Sequence, residues 1–394
     1  MNEVSKRGRW TIRLSVQPLI RVLPGLFYLA NLIRMMMITT TPYFITLYGV
    51  GVLGILMAFF SRKYKLDNIL AFILLYGLTL VINWITIGNI TFSDIMVNVL
   101  LVGITLVMLI NRWTYWEGII IFYATALAVL YALNTRTVLR IFGSSNNYIS
   151  VVLILAVSFY YIAVENDGRK IKLYDLLPAL ICFFLSVLAE GRGGILSTAV
   201  LVALMLFLYM RTVANKRARR SIIIILILFL VGVVLLIRNV DLLDTFMSLG
   251  KFGTRGANNS ERAIIWGSYF AKMRESIGYI LVGAPLRDIS IISLHGGNCH
   301  NSFLQLHAYN GLLMFIVFIV MLVRAFIYYW KNQQFVKVAV LAVLVLRGMT
   351  DKFIFGQYGM PIMLFFVLYP LIARKQETNE RILIGAFPLR DKNG

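Results

Sequence analysis

The chain has three histidines, His295, His300 and His307, and all of them fall in one stretch, SLHGGNCHNSFLQLHAYNGLL, where a polar segment runs back into an apolar one. An imidazole titrates near neutral pH and can accept or hold the proton of a hydroxyl group, so His300 suits general-base chemistry at a substrate hydroxyl. Asn301 or Ser302 can cap the helix that begins there, which puts His300 just outside its first turn. His307 follows two turns down the same helical face and is expected to point into the same cavity. The histidine spacings match no recognised zinc-ligand pattern, and no metal is expected. Cys299 adjoins His300, but adjacent side chains point apart, so no cysteine nucleophile is inferred.

Two groups of arginines complement the histidines. In AEGRGGILST, at 189–198, Glu190 and Arg192 share a turn with Gly191, Gly193 and Gly194. Glycines there let a ligand approach the backbone, and the amides opening the next helix favour an anion, so this is a candidate phosphate corner with Arg192 as donor. The same residues also suit a tight interhelical turn whose arginine snorkels to the membrane interface. Arg255 and Arg262 precede and begin a polar helix, with Trp266 one turn after Arg262. A guanidinium binds phosphate in bidentate fashion, so both can face a pyrophosphate; ordinary loop solvation, with an ion pair to Glu261 or Glu275, is the alternative.

The elements that must hold these groups are membrane helices. Of 394 residues, 60% are hydrophobic and 14% charged, where a soluble domain carries roughly 25% charged. About twelve apolar runs have the length of a membrane crossing: near 19–39, 43–60, 69–88, 94–110, 116–134, 148–164, 174–190, 194–211, 221–238, 302–329, 338–347 and 360–373. The formal net charge of +21 comes from basic residues in alternate connections, namely KRGRWTIR at the N-terminus, SRKYK at 61–65, RTVANKRARR at 211–220 and the tail from Arg374. That distribution marks a cytoplasmic side and places both termini on it. It offers no basic face on a soluble domain, so nucleic acid is not an expected partner. The chain reads as a single polytopic domain over 1–394 with one long outer loop at 239–301, which holds six Lys/Arg against five Asp/Glu and is nearly neutral. Within it, NNSERAIIWGSYFAKMRESIGYILVG is expected to form one interfacial helix. Asn259 or Ser260 would cap it, Ile264, Trp266, Phe270 and Met273 would form its apolar face, and Gly283 and Pro285 would end it. No cleavable signal pattern precedes the first apolar run. Cys182 and Cys299 fall in different environments and suggest no disulfide.

GRGG opening a helix, the Arg262-x3-Trp266 pair in a long outer loop and Gly296-x-x-x-His300-Asn301-Ser302-x-Leu304 leading into a glycine-punctuated helix follow one another in that order. In this order and placement the chain resembles the O-antigen polymerase and ligase superfamily over about residues 180–330. The resemblance implies an all-α membrane glycosyltransferase of the GT-C class that acts on polyprenyl-pyrophosphate-linked glycans at the extracytoplasmic face of the plasma membrane. It implies catalytic roles for Arg192, Arg262 and His300; the reading of the residues themselves adds Arg255, Glu190, Asn301, His307 and Trp266 around the substrate. The chain departs from the family pattern after the His-Asn motif, where Tyr309-Asn310-Gly311 lacks the acidic residue common before the glycine. Glu190 and Asp351 remain as the outer-side carboxylates able to support a base. A polymerase joining lipid-linked repeat units is the leading expectation, needing no cofactor and no metal, with a chain-length regulator as an additional partner. A ligase that passes glycan to another acceptor, and a flippase or transporter of lipid-linked glycan, are the alternatives. The absence of an inverted repeat of broken helices argues against transport.

Overall fold

Why so many apolar runs must become helices follows from the solvent: in hydrocarbon, each backbone N–H and C=O has to be satisfied within its own segment. The computed structural model describes residues 17–35, 40–60, 67–110, 113–134, 147–189, 192–238 and 260–386. Among them every regular element is a helix. The order is α1 (Gln17–Met35), α2 (Thr41–Phe60), α3 (Asp67–Thr86), α4 (Phe92–Ile110), α5 (Tyr115–Asn134), α6 (Asn147–Asn166), α7 (Leu177–Leu188), α8 (Arg192–Thr212) and α9 (Lys216–Arg238). Then come α10 (Ser260–Arg274), α11 (Ile277–Val282), α12 (Ser290–Leu294), α13 (Ser302–Lys331), α14 (Phe335–Gly348) and α15 (Met360–Ala386).

Each of the twelve apolar runs read from the sequence overlaps one of these helices. Seven helices, α2 to α6, α8 and α13, are long and apolar enough to cross a membrane. The others are shorter or more polar. α14, with 14 residues, reaches only about 21 Å, less than a hydrocarbon core of roughly 30 Å.

α4 and α6 form the centre of the bundle: 89% of the α6 apolar window is buried, and Leu101, Val102, Ile104, Val107 and Met108 of α4 are fully enclosed. α2 lies against α4 with backbones nearly touching, since a Cβ at Gly54 would strike the Gly103 carbonyl and one at Gly103 would strike that of Gly51. Lipid tails are as apolar as leucine, so helices in a membrane associate through this kind of close packing.

The element that leads into the histidine segment is broken. α13 has 30 residues, about 45 Å of helix, but Gly311 interrupts it at φ 71° and ψ −176°. The portion after the break is about 30 Å long, the thickness of the hydrocarbon core. The break frees the Ala308 carbonyl, which accepts from Asn83 Nδ2 at 2.9 Å and Asn89 Nδ2 at 2.8 Å. A side chain at Gly311 would collide with the Leu281 carbonyl, so the break is also where α11 seats itself.

The segment 260–301 packs as a small layer over the start of α13. Its own core consists of Ile265, Tyr269, Leu286, Ile289, Ile292 and Cys299, closing on Ala308 of α13. The single interfacial helix expected from sequence is two helices: Ser276 adopts an extended φ of −150° and its hydroxyl accepts from Gly278 N at 3.1 Å, which starts α11 afresh. Gly283, with φ 113°, ends it as expected. The buried face of α10 also differs from the expected one. Ile265 and Tyr269 are enclosed, with Trp266 and Met273 packed beside them, whereas Ile264 and Phe270 are 53% and 44% exposed. The tyrosine is the reason, because Tyr269 has a polar partner inside, given below, that Phe270 would lack.

Candidate functional site at one end of the bundle

The buried face of α10 runs through residues 262, 265, 266, 269 and 273, a spacing of three and four. Arg262 is therefore drawn half-inside at the first turn of α10. Among the described residues its guanidinium has no hydrogen-bond or ion-pair partner. Burial lowers its pKa from the ordinary value, the Asp351 carboxylate opposes that shift and the Arg347 charge adds to it. The arginine expected from sequence thus stands beside a second, unexpected one.

Arg347 is the most informative residue that sequence reasoning missed. It is 1% exposed at the end of α14 and its guanidinium joins three elements. Nη2 meets Asp351 Oδ2 at 3.0 Å, Nη1 donates to the Thr350 hydroxyl at 2.9 Å and Nε donates to the Ser150 hydroxyl of α6 at 3.3 Å. The signal was present as an ionisable residue at the end of an apolar run with an aspartate four residues on, since charges near membrane spans mark functional positions. Asp351, expected as a supporting carboxylate, is 4% exposed. Its carbonyl accepts from Ser302 Oγ at 2.7 Å, which ties this loop to the first residue of α13.

The glycine turn stands at the same place. α8 begins at Arg192. A Cβ on Gly194 would collide with the Ser150 side chain, and one on Gly193 would lie 3.1 Å from the Thr350 hydroxyl. The space beside these glycines is filled by protein, so they allow α8, α6 and the end of α14 to pack closely, where sequence had suggested close approach of a ligand. The described part of Arg192 is its backbone, at the start of α8 and beside the Arg347 cluster. Glu190 and Arg255 lie outside the described residues.

His300 sits at the junction where sequence put it, outside the first turn of α13, in the left-handed region with φ 48°. Asn301 is the cap: its Oδ1 accepts from Phe303 N and Leu304 N at 2.9 and 3.1 Å. That use commits the Asn301 carbonyl oxygen to the helix. Around His300 the backbone is held on every side. His300 N donates to Asn298 Oδ1 at 2.8 Å, Cys299 N donates to Gln305 Oε1 at 3.1 Å, and Trp266 Nε1 donates to the Cys299 carbonyl at 3.1 Å. Trp266 therefore locks α10 to the histidine corner. The His295 and His300 rings meet edge to face, with centroids 5.3 Å apart. Burial pushes the Cys299 thiol up to about 12, which leaves it a packing residue.

His307, expected to face the same cavity as His300, is instead taken up by partners inside the protein. It is 4% exposed, with Nε2 donating to the Ile280 carbonyl at 2.8 Å and Nδ1 accepting from the Tyr269 hydroxyl at 2.7 Å. The carbonyl can only accept, which fixes the tautomer. Both ring nitrogens are used, and His307 serves as a strut from α13 to α10 and α11. Burial holds Tyr269 well above its ordinary pKa, keeping its hydrogen-bond donor in place.

Beside Cys299 is one further cation, also missed from sequence. Lys352 Nζ donates to the Tyr309 hydroxyl at 2.9 Å and lies 5.2 Å from that ring's centroid. The structure thus brings together Arg262, Trp266, His300, Asn301, Arg347, Asp351, Lys352 and the start of α8 at one end of the bundle. The chain matches no protein-family model, no curated protein and no solved structure.

Proposed function

We propose that the chain is a plasma-membrane glycosyltransferase that joins polyprenyl-pyrophosphate-linked oligosaccharide units into a polysaccharide, at the extracytoplasmic end of a bundle of about twelve spans of the GT-C kind. The observation that carries this reading is Arg262: a half-buried guanidinium, without a protein partner among the described residues, beside a buried Arg347–Asp351 pair and one helix start away from His300. An unpaired charge held out of water is unfavourable, and a site that maintains one is arranged for an anion. Pyrophosphate, the leaving group of a lipid-linked sugar, is such an anion and is bound well by the planar fork of arginine.

In the reaction the acceptor sugar hydroxyl attacks the anomeric carbon of the donor. The bond from that carbon to the pyrophosphate oxygen breaks, with its electron pair leaving on the pyrophosphate, and the hydroxyl proton passes to the His300 imidazole. Attack from the face opposite the leaving group inverts the anomeric configuration. Arg262 and Arg192 meet the charge that builds on the departing oxygen, Arg347 holds Asp351 and the start of α8 in place, and Trp266 fixes the loop that carries His300.

The test is a gel of glycan products from the purified protein in liposomes, supplied with lipid-linked repeat units and no nucleotide. A ladder of lengths is expected, reduced on the order of 10²–10³-fold in Arg262→Ala and about as far in His300→Ala. A single transfer that appears only when a second acceptor is added would make the protein a ligase. Substrate bound without any covalent product would overturn the enzyme reading in favour of transport. The break at Gly311 favours that alternative to one extent, as transporters use broken helices, but here the freed carbonyl is already satisfied by Asn83 and Asn89.

A further inference from the structure

Three described cations converge on the site, Arg262, Arg347 and Lys352, against one described carboxylate, Asp351, which leaves a net charge of 3 − 1 = +2 among the described side chains. Arg347 is neutralised by its contact with Asp351 at 3.0 Å. Arg262 and Lys352 are the two that remain. Lys352 is half-buried, has no carboxylate within ion-pair distance among the described residues, and rests on the hydroxyl and ring edge of Tyr309. A neutral phenol leaves the ammonium charge uncompensated while holding its position.

The two free cations reach the same corner from different elements. Arg262 is on α10, whose Trp266 bonds the Cys299 carbonyl. Lys352 follows Asp351 in the loop after α14, and its charge acts on the Cys299 thiol. Asp351 is linked to both: its carboxylate charge favours the charged form of Arg262, and its Oδ1 accepts the backbone N–H of Lys352 at 2.8 Å. A pyrophosphate that links a sugar to a polyprenyl chain has one ionised oxygen on each phosphate, two negative charges in all. A lipid monophosphate carries up to the same charge near neutral pH but has a single phosphate, so two cations on separate elements separate the two anions by offering one contact to each phosphate.

We propose that Lys352 is the second phosphate-binding cation of this site, paired with Arg262 across the two phosphates of a lipid-linked pyrophosphate and held for that role by Tyr309. The assignment rests on the pyrophosphate reading of the site given above. It makes Lys352 a residue that selects pyrophosphate over monophosphate, a task that Arg262 alone would perform poorly.

Full-length protein in lipid nanodiscs is titrated calorimetrically with farnesyl pyrophosphate and with farnesyl monophosphate. The native chain is expected to bind the pyrophosphate more tightly. Lys352→Met, which keeps the apolar stem and removes the charge, is expected to weaken pyrophosphate binding on the order of tenfold, the loss of one charge-assisted contact, and to leave monophosphate binding within about twofold. Lys352→Arg is expected to restore the preference, which a purely structural role for the stem would not require. Should Lys352→Met fail to fold, Tyr309→Phe carries the test, and a several-fold weaker pyrophosphate affinity is expected because the ammonium loses its anchor. Unchanged pyrophosphate binding in Lys352→Met, or in Tyr309→Phe where that variant carries the test, with binding lost in Arg262→Gln, overturns the role of Lys352 and leaves the pyrophosphate reading standing. No binding of farnesyl pyrophosphate by the native chain, or equal binding by Arg262→Gln, overturns both.

Discussion

Arg347 and Asp351 show what a buried ion pair does in this setting. Taking both charges out of water costs several kcal/mol per ion, and their attraction offsets this only with good geometry and further hydrogen bonds. Arg347 has both, in the Thr350 and Ser150 hydroxyls. Removing one partner strands the other, so Arg347→Ala is expected to destabilise the protein by about 3–5 kcal/mol, read as an earlier unfolding transition in detergent. The apolar pair Arg347→Met with Asp351→Leu should recover most of that loss, and unfolding as early as Arg347→Ala would show that the pair does more than balance charge. The contrast with Arg262 is useful: two arginines at one end of a bundle, one satisfied by the protein and one not. From sequence, Arg262 was singled out by its place in an outer loop and Arg347 was passed over inside an apolar run. One partner of Arg347, Ser150, lies 197 residues away, and no local pattern reports that contact.

At the scale of elements, the site depends on how α10 and α11 are seated on the broken start of α13. Three contacts do this work: the His307 strut, the Asn83 and Asn89 amides on the Ala308 carbonyl, and Gly311 against the Leu281 carbonyl. Gly311 has a positive φ and no room for a Cβ. Gly311→Ala is therefore expected to cost at least about 1–2 kcal/mol in backbone strain and to push α11 off its seat. Hydrogen exchange over 277–283 should speed up at least tenfold in this variant, while Gly267→Ala on α10, where a Cβ meets nothing within 4 Å, should leave it unchanged. Equal exchange in the two variants would mean that α11 is held from elsewhere. The existence of α10 and its start near Ser260 were legible in the sequence, whereas its end at Arg274 was not, since one helix was expected to run on to Gly283. Its buried face was misread by one residue, because hydrophobicity alone ranks Phe270 above Tyr269 and cannot see that His307 waits for a hydroxyl.

Across the whole molecule, the charge pattern makes a prediction about sidedness. Arg217, Arg219 and Arg220 at the start of α9 are exposed, in a basic run on the side that the distribution of charge marks as cytoplasmic. Leu294, 85% exposed, belongs to the layer over α13, which the proposed function places on the opposite side. In a cysteine-free background, Arg217→Cys and Leu294→Cys are expected to react with a membrane-impermeant maleimide from opposite faces of sealed vesicles. Labelling of both from one face would remove α9 from the set of spans and shift the parity of everything before it. That is a sharp test, since α9 is not among the seven helices that qualify as spans by length and composition.

The sequence alone determined that this is a helical membrane protein, where its apolar helices lie, and that its polar groups concentrate in one segment before α13, because run length, hydropathy and capping residues act over a few neighbouring positions. It also picked out Arg262, His300, Asn301 and Trp266, from residue type and place. Only the tertiary structure decided that Gly193 and Gly194 are packing residues, that His307 is a strut, and that Arg347, Asp351 and Lys352 stand with Arg262 at one end of the bundle. Each of those outcomes is set by side chains from helices distant in sequence, and by which of them has already taken the available hydrogen bonds.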